Sequence, residues 1–137
     1  MSRQWLIGIL ILVGIIAFSS HGLKGGPDIS VREAAVLIKG ASPPVLVDLR
    51  ERAAFDQGRI SSARSVPAGE FKAALEELKL PKLDVIIIYD EDDTRAREAT
   101  KLLYESGYQG ALTLKGGIKA WHEAGQAVEK PRPAKAK

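Results

Sequence analysis

The chain has 137 residues, 45% of them hydrophobic and 27% charged, and a net charge of +3; without an apolar start and a polar tail, about a hundred residues remain, one ordinary globular domain. Part of the basic excess sits in residues 130–137, so the domain is close to balanced and a nucleic-acid partner is not indicated. There is no cysteine, which excludes disulfides, thiolate metal sites and a thiol nucleophile together.

Residues 1–4 are a short polar start. Residues 5–18, WLIGILILVGIIAF, then run for 14 positions without a charge. A full membrane span takes about 20 residues and a signal-peptide core about 7–15. Trp5 stands where an interfacial aromatic would, and Ser19, Ser20 and Gly22 extend the run toward the headgroups, so residues 1–20 are expected to be a hydrophobic helix that anchors the chain as a single-pass membrane protein. A cleaved signal and secretion is the alternative. Arg3 before the run and Lys24 and Arg32 after it hardly discriminate orientation; signal-anchor logic favours an extracytoplasmic domain. Residues 21–28, with Gly22, Gly25, Gly26 and Pro27, read as a linker.

Ser30 and Glu33 form a capping box, followed by a helical stripe of Val31, Ala34, Ala35 and Ile38 that Gly40 ends. Residues 45–49 read as a buried strand, 51–57 as a short helix closed by Gly58, and 63–66 as a short strand. After Pro67 a helix is expected with Phe71, Ala74, Leu75 and Leu78 on one face, stopping before Pro81. Residues 85–89 are a branched apolar run of the kind buried on both faces of a sheet. Four acids follow, Asp90, Glu91, Asp92 and Asp93, and then a helix from Thr94 with Ala96, Ala99, Leu102 and Leu103 on its apolar face. Residues 111–114 read as another strand, and Gly116 and Gly117 open a last helix carrying Ile118 and Trp121. The basic residues 129–137 read as a disordered tail. Alternating strands and helices predict an α/β fold with a parallel sheet, and ligands in such folds sit beyond the carboxyl ends of strands. That places interest on the loop Asp90, Glu91, Asp92, Asp93, Thr94 and Arg95.

The stretches VLVDLRE (45–51), FDQGRI (55–60) and ARSVP (63–67), with IIIY (86–89), Arg95, Leu103, Gly107, Tyr108, LKGGI (114–118), Ala120, Trp121 and Gly125, resemble the rhodanese-like domain family over about residues 29–128. The resemblance implies a parallel sheet of about five strands with helices on both faces, preceded here by the N-terminal hydrophobic helix. It also implies that the family's loop, roughly CxxGxRS, falls on this loop: Asp90 at the nucleophilic cysteine, Asp93 at the glycine, Arg95 at the arginine and Ala96 at the serine. Asp48 and Arg50 are implied to brace the loop from beneath.

A carboxylate does not carry a sulfane sulfur as a thiolate does. Two unit charges ~5 Å apart at an effective dielectric of ~20 also repel by about 3 kcal/mol, so the four acids oppose capture of an anionic donor. The expectation is therefore a family member without sulfurtransferase activity, a binding, scaffold or regulatory module. Asp48, Arg50, Asp90 and Arg95 are its binding residues, no cofactor is required, and the partner is a protein or basic peptide besides the membrane. In that reading Asp92, Asp93 and Thr94 serve as helix caps. The alternative is a cation-assisted, phosphatase-like hydrolase: Asp90 and Asp92 in a DxDxT arrangement would hold magnesium or calcium, with Asp90 as nucleophile and Asp92 as general acid. Only 47 residues follow Asp90, too few for the downstream lysine and acidic pair that such sites use.

Overall fold

A computed structural model describes residues 26–130. The anchor expected over residues 1–20, most of the linker and nearly all of the tail lie outside them. Among the described residues no helix is long and apolar enough to cross a membrane.

The elements run β1 (Asp28–Ile29), α1 (Val31–Ile38), β2 (Val45–Asp48), α2 (Arg52–Gln57), β3 (Arg64–Ser65), a 3-10 turn (Ala68–Glu70), α3 (Phe71–Ala74), β4 (Ile86–Tyr89), α4 (Thr94–Glu105), β5 (Ala111–Leu114) and α5 (Gly117–Glu123). They build a five-stranded sheet in the order β1-β5-β4-β2-β3, with every pairing parallel. β4 lies at its centre, and its continuous apolar sequence follows from that place: side chains alternate between faces, and both faces are covered. Ile87 and Tyr89 join Leu46, Leu112, Ile118 and Trp121 beneath α1 and α5. Ile86 and Ile88 join Val47, Phe71, Ala96, Ala99 and Leu103 beneath α3 and α4. Burying each such isoleucine or leucine contributes about 1.5–3 kcal/mol.

The capping box forms as expected, with the Ser30 hydroxyl accepting from the Glu33 amide at 3.1 Å and donating to its carboxylate at 3.0 Å. Two elements differ from the sequence reading. Asp28 and Ile29, at the boundary of the expected linker, pair with Thr113 and Leu114 and close one sheet edge. The single helix expected through Leu78 is instead the 3-10 turn, one four-residue α-helical segment and further turns. No side chain caps its start, and the backbone turns left-handed at Lys79 (φ 46°) ahead of Pro81. Its apolar stripe still faces inward: Phe71 is buried, and Ala74, Leu75 and Leu78 pack against the same core.

Candidate functional site

The site lies where β2 and β4 end side by side. Their register pairs Asp48 with Tyr89, so the residues following each strand meet. The last residue of β2 is Asp48, and Arg50 follows two positions on; both are buried. The Arg50 guanidinium grips Asp48 through Nη2 to Oδ2 at 2.8 Å and Nε to Oδ1 at 3.1 Å, while its own amide donates to Oδ1 at 2.9 Å. Nη2 also donates to the Gly58 carbonyl at 2.6 Å, tying the end of α2 to the pair. Burial works against the Arg50 charge, but the Asp48 contacts outweigh it and hold the guanidinium above its ordinary value. Nη1 also comes within 4.0 Å of the exposed Glu91 carboxylate at the start of the acidic loop.

Tyr89 closes the same layer. Its hydroxyl accepts from the Ile60 amide at 3.2 Å. Burial, reinforced by the Asp48 carboxylate, pushes its phenol well above its usual range, so it stays protonated and serves as packing rather than as a nucleophile.

The loop itself is closed on its own residues. Asp90 is buried, and its carboxylate accepts the Glu91 amide at 2.8 Å. Arg95, the second residue of α4, returns to it with a two-pronged contact, Nε to Oδ2 at 2.6 Å and Nη2 to Oδ1 at 2.8 Å. The hydrogen bonds that it donates to Asp90 raise the Arg95 guanidinium above its ordinary value, and the geometry is the planar fork that arginine offers a carboxylate. The expected site residues Asp90 and Arg95 are thus brought together, but by satisfying each other.

The other two aspartates take separate roles. Asp92 Oδ1 accepts the Thr94 amide at 2.9 Å, and that bond holds its carboxyl below the usual carboxylate range. Asp93 occupies the N-cap position of α4 without capping it. Its carboxylate accepts instead from Arg97 Nε at 3.1 Å and Nη2 at 3.0 Å, and from the Gly116 amide at 2.8 Å. Burial favours the neutral form of Asp93, but the Arg97 and Gly116 hydrogen bonds outweigh it and keep the carboxyl below its ordinary value. Of the three expected caps, only Asp92 therefore supplies a side-chain bond to the helix start. Arg97 also reaches Asp28 at 3.3 Å, joining the loop to β1.

The first turn of α5 fixes the loop from the other side. The Ile118 amide donates to the Asp90 carbonyl at 3.0 Å and the Lys119 amide to the Glu91 carbonyl at 3.1 Å. Such an approach needs glycine at position 117: its φ is 64°, and a Cβ there would overlap the Asp92 and Asp90 carbonyl oxygens.

This arrangement limits the chemistry. Asp90 spends its oxygens on Arg95 and the Glu91 amide, and Asp92 is held ionised, which unsuits it to donate a proton at neutral pH. Among the described residues no group of three or more His, Cys, Asp or Glu is placed to hold a metal ion. What stays available is charge: Glu51, Glu91 and Asp92 are exposed around the Arg95–Asp90 pair. Glu51 is a residue that sequence reasoning passed over; its signal was its place directly after the Asp48–Arg50 turn.

The rhodanese-like domain family matches residues 30–124. Among curated proteins, a sulfurtransferase of Allochromatium vinosum is 33% identical over 87 residues, covering 64% of this chain and 79% of that protein. The centrosomal protein of 41 kDa from Danio rerio is 33% identical over 84 residues, covering 56% of this chain and 22% of that protein. This chain thus matches about a fifth of the length of that longer relative. Among solved structures, a rhodanese-related protein from Thermoplasma volcanium superposes with a TM-score of 0.68 at 21% identity, covering 76% of this chain and 98% of that one, a likeness of fold.

Proposed function

From the premise that the chain belongs to the rhodanese-like domain family, we propose that it is a member without sulfur-transfer chemistry, a binding module whose acidic loop receives a cationic segment of a partner protein. The observation that carries this reading is the Asp90–Arg95 pair. Aligned with the family's loop, Asp90 stands at the nucleophile and Arg95 at the arginine, and here the two neutralise each other. The sequence holds no cysteine to take the sulfur elsewhere. With Arg95 engaged, the outward charge of the loop comes from Glu51, Glu91 and Asp92, which attract lysine and arginine side chains. Its relatives include a sulfurtransferase, so the proposal is one of divergence inside the family.

The test is binding of a lysine-rich peptide to the full-length protein in lipid nanodiscs at low salt. Glu91→Gln with Asp92→Asn is expected to weaken it about tenfold, and moderate salt to do the same, as screening of exposed charges requires. Binding that is indifferent to both would count against the acidic loop.

We further propose that residues 5–18 tether this module to a membrane, on the strength of 14 uncharged apolar positions in succession. Deleting residues 1–20 is expected to move the protein from the membrane pellet to the supernatant; a truncated chain that still pellets would sink that reading.

A further inference from the structure

Beside Arg95 lies a groove of about 390 Å3, near the small end of ligand cavities, which span about 300–1,000 Å3. Its floor is apolar and buried: Leu49, Phe71 and Ala99. Leu102 extends the floor along α4. The groove is held open by the backbone, because the Ala68 amide donates to the Leu49 carbonyl at 2.9 Å and fixes the 3-10 turn at the end of β2. Arg95 and Glu98 stand on the α4 wall, and Lys72 on the opposite wall.

Gly69 lines this groove. Its backbone is not left-handed, and a Cβ there would meet nothing within 4 Å. Neither conformation nor packing therefore calls for glycine, although glycine weakens an ordered turn by its chain entropy. What its missing side chain does is leave the groove open.

We propose that the groove seats one apolar side chain of the cationic partner segment, next to the lysine or arginine that the acidic loop attracts. This rests on the binding reading above and adds the second half of the recognition. The occupant follows from charge: the Arg95 cation on the rim is taken by Asp90, so the exposed Glu98 on the same wall and Glu91 and Asp92 at the loop leave the α4 side negative. Lys72 across the groove donates to peptide carbonyls. An apolar floor with Glu98 on one wall, next to the exposed Glu91 and Asp92 of the loop, fits a segment that alternates basic and apolar residues, with the apolar residue supplying desolvation and the bases the steering.

The probes are two fluorescein-labelled heptapeptides, acetyl-Lys-Gly-Lys-Phe-Lys-Gly-Lys-amide and its counterpart with alanine for phenylalanine. They are titrated against the full-length protein in phosphatidylcholine nanodiscs and followed by anisotropy. The phenylalanine peptide is expected to bind about tenfold tighter, the worth of one buried aromatic side chain after the costs of ordering it. Gly69→Leu is expected to abolish that preference while leaving the alanine peptide's affinity unchanged and the melting temperature the same or slightly higher, since the turn loses a flexible glycine. As a measurement independent of any variant, the amide resonances of Ala68, Gly69 and Ala99 should shift with the phenylalanine peptide and not with its counterpart. Equal affinity for the two peptides, a preference that survives Gly69→Leu, or unmoved groove resonances would each overturn the groove while leaving the acidic loop standing. Failure of both peptides to bind would overturn the loop reading and the groove together.

Discussion

Arg95→Ala is expected to destabilise the fold more than Asp90→Ala, although each change breaks the same pair. The Asp90 side chain is 3% exposed and that of Arg95 48%. Opposite unit charges about 4 Å apart attract by about 4 kcal/mol at an effective dielectric of ~20. Solvent at the half-exposed guanidinium screens this, leaving about 2 kcal/mol of coupling. Removing Asp90 forfeits that coupling but frees an arginine that water readily hydrates and spares the burial of a carboxylate, so about 1 kcal/mol is lost. Removing Arg95 leaves a buried carboxylate with only the Glu91 amide, and about 3 kcal/mol is lost. The double replacement should then cost about 2 kcal/mol, less than Arg95→Ala alone, a non-additivity that a double-mutant cycle reads directly. Equilibrium urea unfolding followed by circular dichroism measures all three. An Asp90→Ala variant less stable than Arg95→Ala, or strictly additive changes, would show that the pair does not govern the loop.

Two further outcomes bear on the same loop. Asp90→Cys alone should restore little sulfur transfer, because the exposed carboxylates of Glu91 and Asp92 remain beside the new thiol and oppose docking of an anionic donor; brisk thiocyanate release from that single variant would refute the charge argument. Asp93 ionises more readily in the folded chain than a free aspartate, despite burial, because of Arg97 and Gly116. Its stabilising effect is therefore present above the unfolded value of about 3.9 and is lost as pH falls through the lower folded value. Melting curves between about pH 2 and about pH 6 should show that acid slope in the native chain and a shallower one in Asp93→Asn; parallel slopes would exclude Asp93 as a contributor.

The centre of the fold was legible because several kinds of signal agree there. β4 is apolar throughout since both of its faces are covered, and α4 carries its apolar residues at helical spacing. β1 was not legible: two residues after a Gly-Pro step carry no period, and only pairing with β5 makes them a strand. The break after Ala74 was hidden because Leu75 and Leu78 continue a helical spacing that the turns satisfy equally well by pointing to the same core. Within the site, the family resemblance singled out Asp48 and Arg50, which the structure joins as a buried ion pair. Asp90 and Arg95 are five positions apart, across a loop and into a helix, and only the folding back of the loop brings them together. Asp93 is instructive in the opposite sense: its spacing of four from Arg97 was visible, yet a helix-start aspartate reads first as a cap. The reach of Arg97 to Asp28 spans 69 positions and exists only in three dimensions.

If, as proposed, a self-satisfied ion pair stands at this loop in place of sulfur chemistry, the full-length protein transfers no sulfur from thiosulfate to cyanide, a reaction followed as thiocyanate release. The account predicts a rate indistinguishable from the protein-free reaction, whereas sustained turnover by the purified chain would contradict it.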